Sequence, residues 1–251
     1  MTRPPPTSSV ELVETSPAAS ERTSDRTEAS AAEASSLEAT ATTAPPDASI
    51  DPAADQDAAE DALLVLSDFP AGWSEVPDAE PTEEEADYLR RTAECIGSDR
   101  LRLIDLGGAI AATGDFTSPS EETVSETVSF APSVAEAEDL MVRFAAPDVA
   151  ECFGDVTADL VDGQLQGEMT LGDVTVARLN VSEVGDEVVA YRVTVPVNSG
   201  GSTVDVYVDL VLVRSGRAVA GLVFQSEFSP FFIEDTERYV ALAADRLAAA
   251  S

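Results

Sequence analysis

Histidine and lysine are both missing from this chain of 251 residues, and its fourteen cationic side chains are all arginines. Without histidine there is no imidazole to act as a general base or as a metal ligand. Without lysine there is no side-chain amine for Schiff-base chemistry. The phosphate-loop, dinucleotide-binding and nucleophile-elbow motifs are missing as well. We therefore predict that the protein is not an enzyme and that it needs no cofactor.

Carboxylates are in excess, with 48 Asp and Glu side chains and a net charge of −34. A carboxylate pair can hydrolyse glycosides without histidine, but among so many acids the sequence singles out no pair. The acidic runs at 83–85, 136–139 and 234–237 fit no calcium-loop spacing and lie in predicted first helical turns, where acids favour the helix dipole. We predict no metal site. We also predict no nucleic-acid partner, because such a surface repels phosphate backbones.

Aromatic residues are missing from residues 1–56, which contain only five of the larger aliphatic side chains. Such a segment cannot bury enough apolar area to offset the entropy that ordering would cost. We predict a disordered acidic arm over residues 1–56, rich in Ala, Ser, Thr, Glu and Pro, and a single domain over residues 57–251. The arm lacks the apolar run of a signal peptide, and no segment of the chain is apolar enough to predict a membrane span.

Helix signals precede and follow the central part of the chain. A short helix is predicted over Ala58–Leu66, and capping boxes at Thr82 and Ser133 begin two more, the first of which ends at Gly97. Pro147 begins a fourth helix, and about the last 18 residues return to helical spacing. Two strand-like runs are predicted near 110–116 and 123–130.

The central part has the hydrophobic period of β-strands. Residues 174–182, 187–197, 202–214 and 217–226 are rich in valine, and turns near 184–186, 198–201 and 215–216 connect them. In that register one apolar row crosses four strands, formed by Leu179, Tyr191, Val208 and Val223. We predict an α+β fold: an antiparallel β-meander sheet with helices packed on this one face, preceded by the disordered arm.

The two cysteines, Cys95 and Cys152, both lie in predicted helices. Two cysteines without histidine do not make a zinc site. Cys95 lies at a helix C-terminus with no base beside it, so nothing is expected to activate it as a nucleophile. Two alternatives remain, a disulfide or two buried thiols. A disulfide would place the protein in an oxidising compartment, whereas reduced cysteines and the lack of a signal-like segment would indicate the cytoplasm.

The opposite face of the predicted sheet carries a polar cluster. The register places Arg178 across from Arg192 and Arg192 across from Tyr207, with Asp205 and Asp209 diagonal to Arg192. Two facing arginines repel each other unless an anion lies between them. That anion is either a ligand carboxylate or phosphate, which arginine binds through paired hydrogen bonds, or an acid of the protein, with an arginine stacked on Tyr207. These five residues form the predicted ligand-binding site.

The order of these features resembles a known family. The helix that leads into Asp68–Trp73 (DFPAGW) resembles the leucine-rich helix and D-x-P-x-G-W opening of actinobacterial secreted and lipid-anchored proteins. Many of these resemble the extracellular sensor domain of mycobacterial PknH-type receptor kinases. The two cysteines and the hairpin that ends at Leu212–Val219 also match the family's order of elements. The resemblance covers about residues 60–250.

The resemblance implies an α/β sandwich with a helix-flanked antiparallel sheet, a Cys95–Cys152 disulfide, a ligand-sized cleft, a sensing role and no catalytic residues. The chain departs from the family in lacking a second disulfide, a kinase domain and a lipid-anchor cysteine near its start. We therefore predict a non-enzymatic, monomeric, extracytoplasmic domain of the actinobacterial cell envelope that binds or senses an unknown small molecule. The alternative is a structural or protein-interaction module of the envelope, which would expose an apolar patch rather than a cleft.

Overall fold

The structure is a computed structural model that describes residues 51–77, 81–100, 104–165 and 167–251. The predicted arm therefore lies outside the described residues, apart from its last six positions. Those positions are the cap and first residues of a helix, because the Asp51 carboxylate accepts the Ala53 amide at 3.1 Å and Pro52 presets the first helical φ. The helix predicted over Ala58–Leu66 thus begins earlier, at Pro52, and ends at Ala62.

Five helices and nine strands make up the described part of the chain. The helices are α1 (Pro52–Ala62), α2 (Glu83–Glu94), α3 (Val134–Phe144), α4 (Pro147–Gln164) and α5 (Ile233–Ala250). The strands are β1 (Ser74–Val76), β2 (Ile110–Ala112), β3 (Asp115–Thr117), β4 (Thr123–Phe130), β5 (Thr170–Leu171), β6 (Thr175–Arg178), β7 (Glu187–Ser199), β8 (Ser202–Ser215) and β9 (Ala218–Glu227). A short 3-10 turn, Leu66–Asp68, follows α1.

These strands form one antiparallel sheet in the order β1-β3-β4-β9-β8-β7-β5, with β2 also paired to β4 and β6 to β7. Two-residue turns join β7 to β8 and β8 to β9. Gly200, Gly201 and Gly216 have positive φ in these turns, a conformation that glycine adopts without steric cost. The predicted α+β class with an antiparallel sheet is confirmed.

The strand register differs from the prediction in two ways. At both tight turns the pairing is shifted by two residues, so that Tyr191 lies opposite Leu210, and such a shift leaves each side chain on its predicted face. Between β6 and β7 the shift is one residue, and Arg178 lies opposite Tyr191. The predicted three-residue turn there is wrong: residues 179–186 form a longer connection, because its apolar side chains, Leu179 among them, pack against the core.

Helices cover both faces of the sheet, which corrects the prediction that they pack on one face. α1 and α5 pack on the face that carries Val211 and Leu222, whereas α3 and α4 pack on the face that carries Tyr191 and Leu212. The physical reason is that the central strands are apolar at consecutive positions, as in residues 210–213, so that both faces need a layer that excludes water.

A disulfide joins Cys95, at the C-terminal end of α2, to Cys152 in α4, with the two Cα atoms 5.6 Å apart. Of the two alternatives for the cysteines, the structure therefore has the disulfide. α2 packs against α4, so the bond holds α2 over the α3–α4 face of the sheet. Closing this 57-residue loop stabilises the fold by about 4 kcal/mol in the chain-entropy treatment.

Candidate functional site

The two arginines of the predicted ligand site lie on opposite faces of the sheet. Arg178 is on the α3–α4 face, where its guanidinium lies 5.2 Å from the centre of the Tyr191 ring and donates to the Tyr191 hydroxyl at 3.2 Å. That hydroxyl donates to the Phe144 carbonyl at 3.1 Å. The one-residue difference in the β6–β7 register is what separates Arg178 from Arg192.

Arg192 is neutralised by Asp209, which lies directly across from it on β8. Nε and Nη2 of Arg192 each donate to a carboxylate oxygen of Asp209 at 2.6 Å, and Asp209 is only 1% exposed. Nη2 also donates to the Phe231 carbonyl at 3.3 Å. The hydrogen bonds to Asp209 raise the pKa of Arg192 above its ordinary value. The Asp209 carboxylate thus accepts the paired hydrogen bonds that the Arg192 guanidinium would otherwise donate to a ligand anion.

Tyr207 and Asp205 form a separate pair. The Tyr207 hydroxyl donates to Asp205 Oδ2 at 3.3 Å, and Tyr207 lies opposite Thr194 rather than Arg192. Burial, followed by the Asp205 carboxylate, raises the pKa of Tyr207. The structure therefore brings Arg192 together with Asp209 and Tyr207 together with Asp205. It does not form the facing arginine pair on which the predicted anion site depended.

A cavity of about 250 Å³ opens instead on the α3–α4 face of the sheet. Its floor is formed by β4, β9 and β8, and its walls come from α2, the end of α3 and Ile104. None of the five predicted site residues is among its described lining residues. Those are Pro81, Leu89, Ile104, Ala112, Thr113, Asp115, Ser125, Glu126, Thr127, Phe144, Leu210, Val211, Leu212, Gly221, Leu222 and Val223.

The floor of this cleft changes from polar to apolar across the strands. The register aligns Ser125 of β4 with Val223 of β9 and Leu210 of β8. A second row runs from Thr127 of β4 through Gly221 of β9 to Leu212 of β8. Neighbouring strands lie about 4.8 Å apart, so hydroxyl groups and leucine side chains are separated by about 10 Å along each row.

Gly221 lies in the middle of this floor, inside β9. Glycine weakens a strand interior and often marks a close approach by a ligand or by another part of the chain. A methyl group on Gly221 would lie 3.4 Å from Ile104 Cδ1, an ordinary contact, whereas a longer side chain would enter the cleft. A glycine inside a strand is a sequence signal that could have pointed to this cleft. The sequence analysis expected a cleft from the resemblance but did not predict these lining residues, because they come from segments that only the fold brings together.

The walls of the cleft are fixed by packing and by the disulfide. Leu89 extends from α2, whose C-terminal end is tied to α4 by Cys95. Phe144 packs edge-on against Tyr191, with ring centres 5.3 Å apart, and at 5.7 Å against Phe153. Such aromatic contacts stabilise a fixed side-chain arrangement. The parts of the wall that come from α2 and α3 are therefore held by the disulfide and by aromatic packing.

Two carboxylates are the charged groups of the described lining, Asp115 and Glu126. Glu126 is 2% exposed, and its carboxylate lies on the opposite face of the sheet, where Oε2 accepts the Leu64 amide at 2.6 Å. Burial raises the pKa of Glu126 to about 7, against the lowering effects of that hydrogen bond and of Arg246. Asp115 is exposed at the β3 end of the floor, so it is the charged group that a ligand in the cleft would meet.

Two other cavities are more polar. One, about 610 Å³ and more open, lies between α4 and the β5–β6 connection, and one of about 130 Å³ lies between α2 and α4. Across the four described ranges, no group of three or more acidic or cysteine side chains is placed to hold a metal ion. No helix in the described part of the chain is both long enough and apolar enough to cross a bilayer.

Comparison with known proteins adds a distant resemblance among solved structures. No protein-family model matches the chain, and no curated protein matches it in sequence. Among solved structures, the chain is similar to the extracellular domain of PknH from Mycobacterium tuberculosis. The sequence identity is 11% and the TM-score 0.35, over 78% of this chain and 95% of that chain. A TM-score this low supports no statement about the family or the ligand of this chain.

Proposed function

We propose that this chain is a non-enzymatic extracytoplasmic domain that binds a small, largely apolar molecule in the cleft over β4, β9 and β8. The cleft itself carries the proposal. Its volume of about 250 Å³ exceeds the roughly 150 Å³ of an engineered apolar cavity that binds benzene. Leu89, Leu210 and Val223 are partly exposed within it, so a ligand would remove their apolar surface from water.

The disulfide supports the proposed location. Such bonds persist in oxidising compartments and are rare in the reducing cytoplasm. We expect protein isolated from its own cells, with free thiols blocked during lysis, to gain the mass of two hydrogens when it is reduced. Protein that instead arrives with Cys95 and Cys152 already blocked would argue for a reducing compartment.

Binding in the cleft can be measured with the neutral fluorophore N-phenylnaphthylamine, whose emission rises in an apolar site. We expect the full chain to bind it saturably at one site. Gly221→Leu places a leucine side chain in the cleft and should weaken binding at least about tenfold, the equivalent of about 1.4 kcal/mol. Gly221→Ala, which fits beside Ile104, should have a much smaller effect.

The matched control is Gln225→Leu, which adds the same side chain at an exposed position of β9 outside the described lining. It should bind the fluorophore like the wild type. Circular dichroism and the urea midpoint show whether each variant is folded. A folded Gly221→Leu protein with wild-type affinity would exclude the cleft as the binding site.

A second candidate function, a protein-interaction module, is favoured by an exposed aromatic pair. Phe228 and Phe232 are 74% and 67% exposed at the β9–α5 connection, and Phe228 has a φ of +68°, which a bulky residue rarely adopts. Acidic residues, Glu227, Glu234 and Asp235, flank the pair along the chain. Such a surface fits a basic protein surface with an apolar anchor.

This alternative can be tested by site-specific photo-crosslinking in cells that make the protein. A photoreactive phenylalanine analogue at position 228 should give a discrete adduct, and the same analogue at exposed Val142 should not. The adduct should disappear when Glu234 and Asp235 are replaced by Gln and Asn. An adduct that survives these replacements would exclude charge-guided docking, and fluorophore binding should be unchanged throughout.

A further inference from the structure

The polarity gradient in the floor of the cleft extends one strand further, to a carboxylate. Phe116 of β3 is paired with Val124 of β4, and Asp115 and Ser125 are the chain neighbours of these two residues on the same side of the pair. Phe116 is buried on the α1–α5 face, and successive residues of a strand alternate in face, so Asp115 lies on the cleft face. The row therefore begins with a carboxylate and a hydroxyl and ends with Val223 and Leu210, about 14 Å away across three strand spacings.

The groups at the polar end accept hydrogen bonds and carry negative charge. Thr113 is already engaged, because its Oγ1 accepts the Glu126 amide at 2.9 Å. Asp115 pairs with Val76 through its backbone, and within the described part of the chain no hydrogen bond or ion pair engages its carboxylate. No cationic side chain is among the described lining residues. An anionic ligand group would thus meet a carboxylate on a protein whose net charge is −34.

We infer that the ligand is an amphiphile with an amine or hydroxyl head group and an uncharged apolar body. The head group lies at Asp115 and Ser125, and the body lies over Val223 and Leu210 towards Phe144. The inference rests on the proposed function, because it assigns a chemical class to the ligand of the same cleft. The preference for an amine over a hydroxyl is small, at most about fivefold, because Asp115 is exposed and exposed ion pairs are weak.

The test compares three compounds with the same ten-carbon tail: decylamine, decanol and decanoate. Each is titrated against the full chain loaded with N-phenylnaphthylamine, below the concentration at which it forms micelles. We expect decylamine to displace the fluorophore a few-fold more strongly than decanol, and decanoate to be at least about tenfold weaker than decylamine, because repulsion replaces attraction. Asp115→Asn should remove the amine preference, because the amide keeps an acceptor for either head group but carries no charge.

Asp245→Asn is the matched control, because it makes the same charge change at an exposed position of α5, on the other side of the sheet. If it lowers the amine preference as much as Asp115→Asn does, the preference comes from the overall charge and the inference is overturned. Equal displacement by all three compounds would also overturn it, while the proposed function would stand. Failure of the fluorophore and of all three compounds to bind would overturn both.

Discussion

Glu126 should make the stability of this protein depend on pH in a way that one substitution removes. Its side chain is 2% exposed, and Oε1 has no hydrogen-bond partner among the described residues, whereas Oε2 accepts the Leu64 amide. Arg246 attracts the carboxylate and Asp68 repels it, and these two form an ion pair of 2.9 Å with each other. Burial is therefore the largest effect, and it raises the pKa of Glu126 from 4.5 to about 7.

The sign of the effect follows from proton binding. Between pH 4.5 and pH 7 the folded protein keeps a proton on Glu126 that the unfolded chain has released. The free energy of unfolding therefore falls as the pH rises through this window and stays lower above pH 7. The two pKa values differ by about 2.5 (7 minus 4.5), and each pKa unit corresponds to about 1.4 kcal/mol. The destabilisation is thus roughly 3 kcal/mol.

Glu126→Gln keeps the shape of the side chain and an acceptor for the Leu64 amide, but it does not titrate. Urea unfolding of both proteins with the disulfide intact measures the difference in their free energies of unfolding. That difference should change in favour of the variant by roughly 3 kcal/mol from below pH 4.5 to above pH 7. Because both proteins share every other acid, the comparison cancels the effect of the general negative charge.

The matched control is Glu227→Gln, the same replacement at an exposed position of β9. Its stability difference from the wild type should stay nearly constant over the same pH range. A constant difference for Glu126→Gln would refute the reasoning, because it would mean that burial does not disfavour the charged carboxylate. A change of the opposite sign would mean that the folded protein holds the carboxylate in its charged form.

Three further changes test the contacts that hold the domain together. Replacing Cys95 and Cys152 by alanine should lower the free energy of unfolding, measured in urea, by about 4 kcal/mol. An unchanged midpoint of the urea transition would mean that the disulfide does not stabilise the fold. Asp209→Ala should cost about 3 kcal/mol, because it leaves the half-buried Arg192 without its anion. Adding Arg192→Met should recover most of that loss, and failure to do so would mean that packing rather than charge is lost. Thr82→Ala should lower the free energy of unfolding by about 1 kcal/mol in the same assay, because it removes the cap of α2. An unchanged free energy of unfolding would mean that the cap does not stabilise this end of the helix.

Local chemistry predicted the elements that depend on neighbours in sequence. The capping box of α2 has both of its hydrogen bonds, since Thr82 Oγ1 accepts the Glu85 amide at 3.2 Å and Glu85 Oε2 accepts the Thr82 amide at 2.7 Å. The acidic runs lie in first helical turns, as at Glu83 and Glu234. Each of these features needs only a few consecutive residues, so the sequence contains all the information required.

The strand partners of the predicted site residues differ from the prediction because they depend on register and turn length. A shift of one residue in β6 reverses every side chain, and it moved Arg178 to the face opposite Arg192. A shift of two residues changed the partners but not the faces, and it gave Arg192 the neutralising partner Asp209. The sequence analysis placed both Asp205 and Asp209 near Arg192, but the length of the β7–β8 turn decided that Asp209 lies directly opposite it.

The sequence by itself determined that this chain has no imidazole or lysine chemistry, that its centre is an antiparallel meander, and that its two cysteines have few uses other than a disulfide. Residue types, periodicity and turn glycines are local properties, so they can be read without a fold. Only the tertiary structure decided that helices cover both faces and that Leu89, Phe144 and Gly221 line one cleft. These depend on long-range packing of segments far apart in sequence, where several arrangements satisfy the same local pattern and only close packing selects among them.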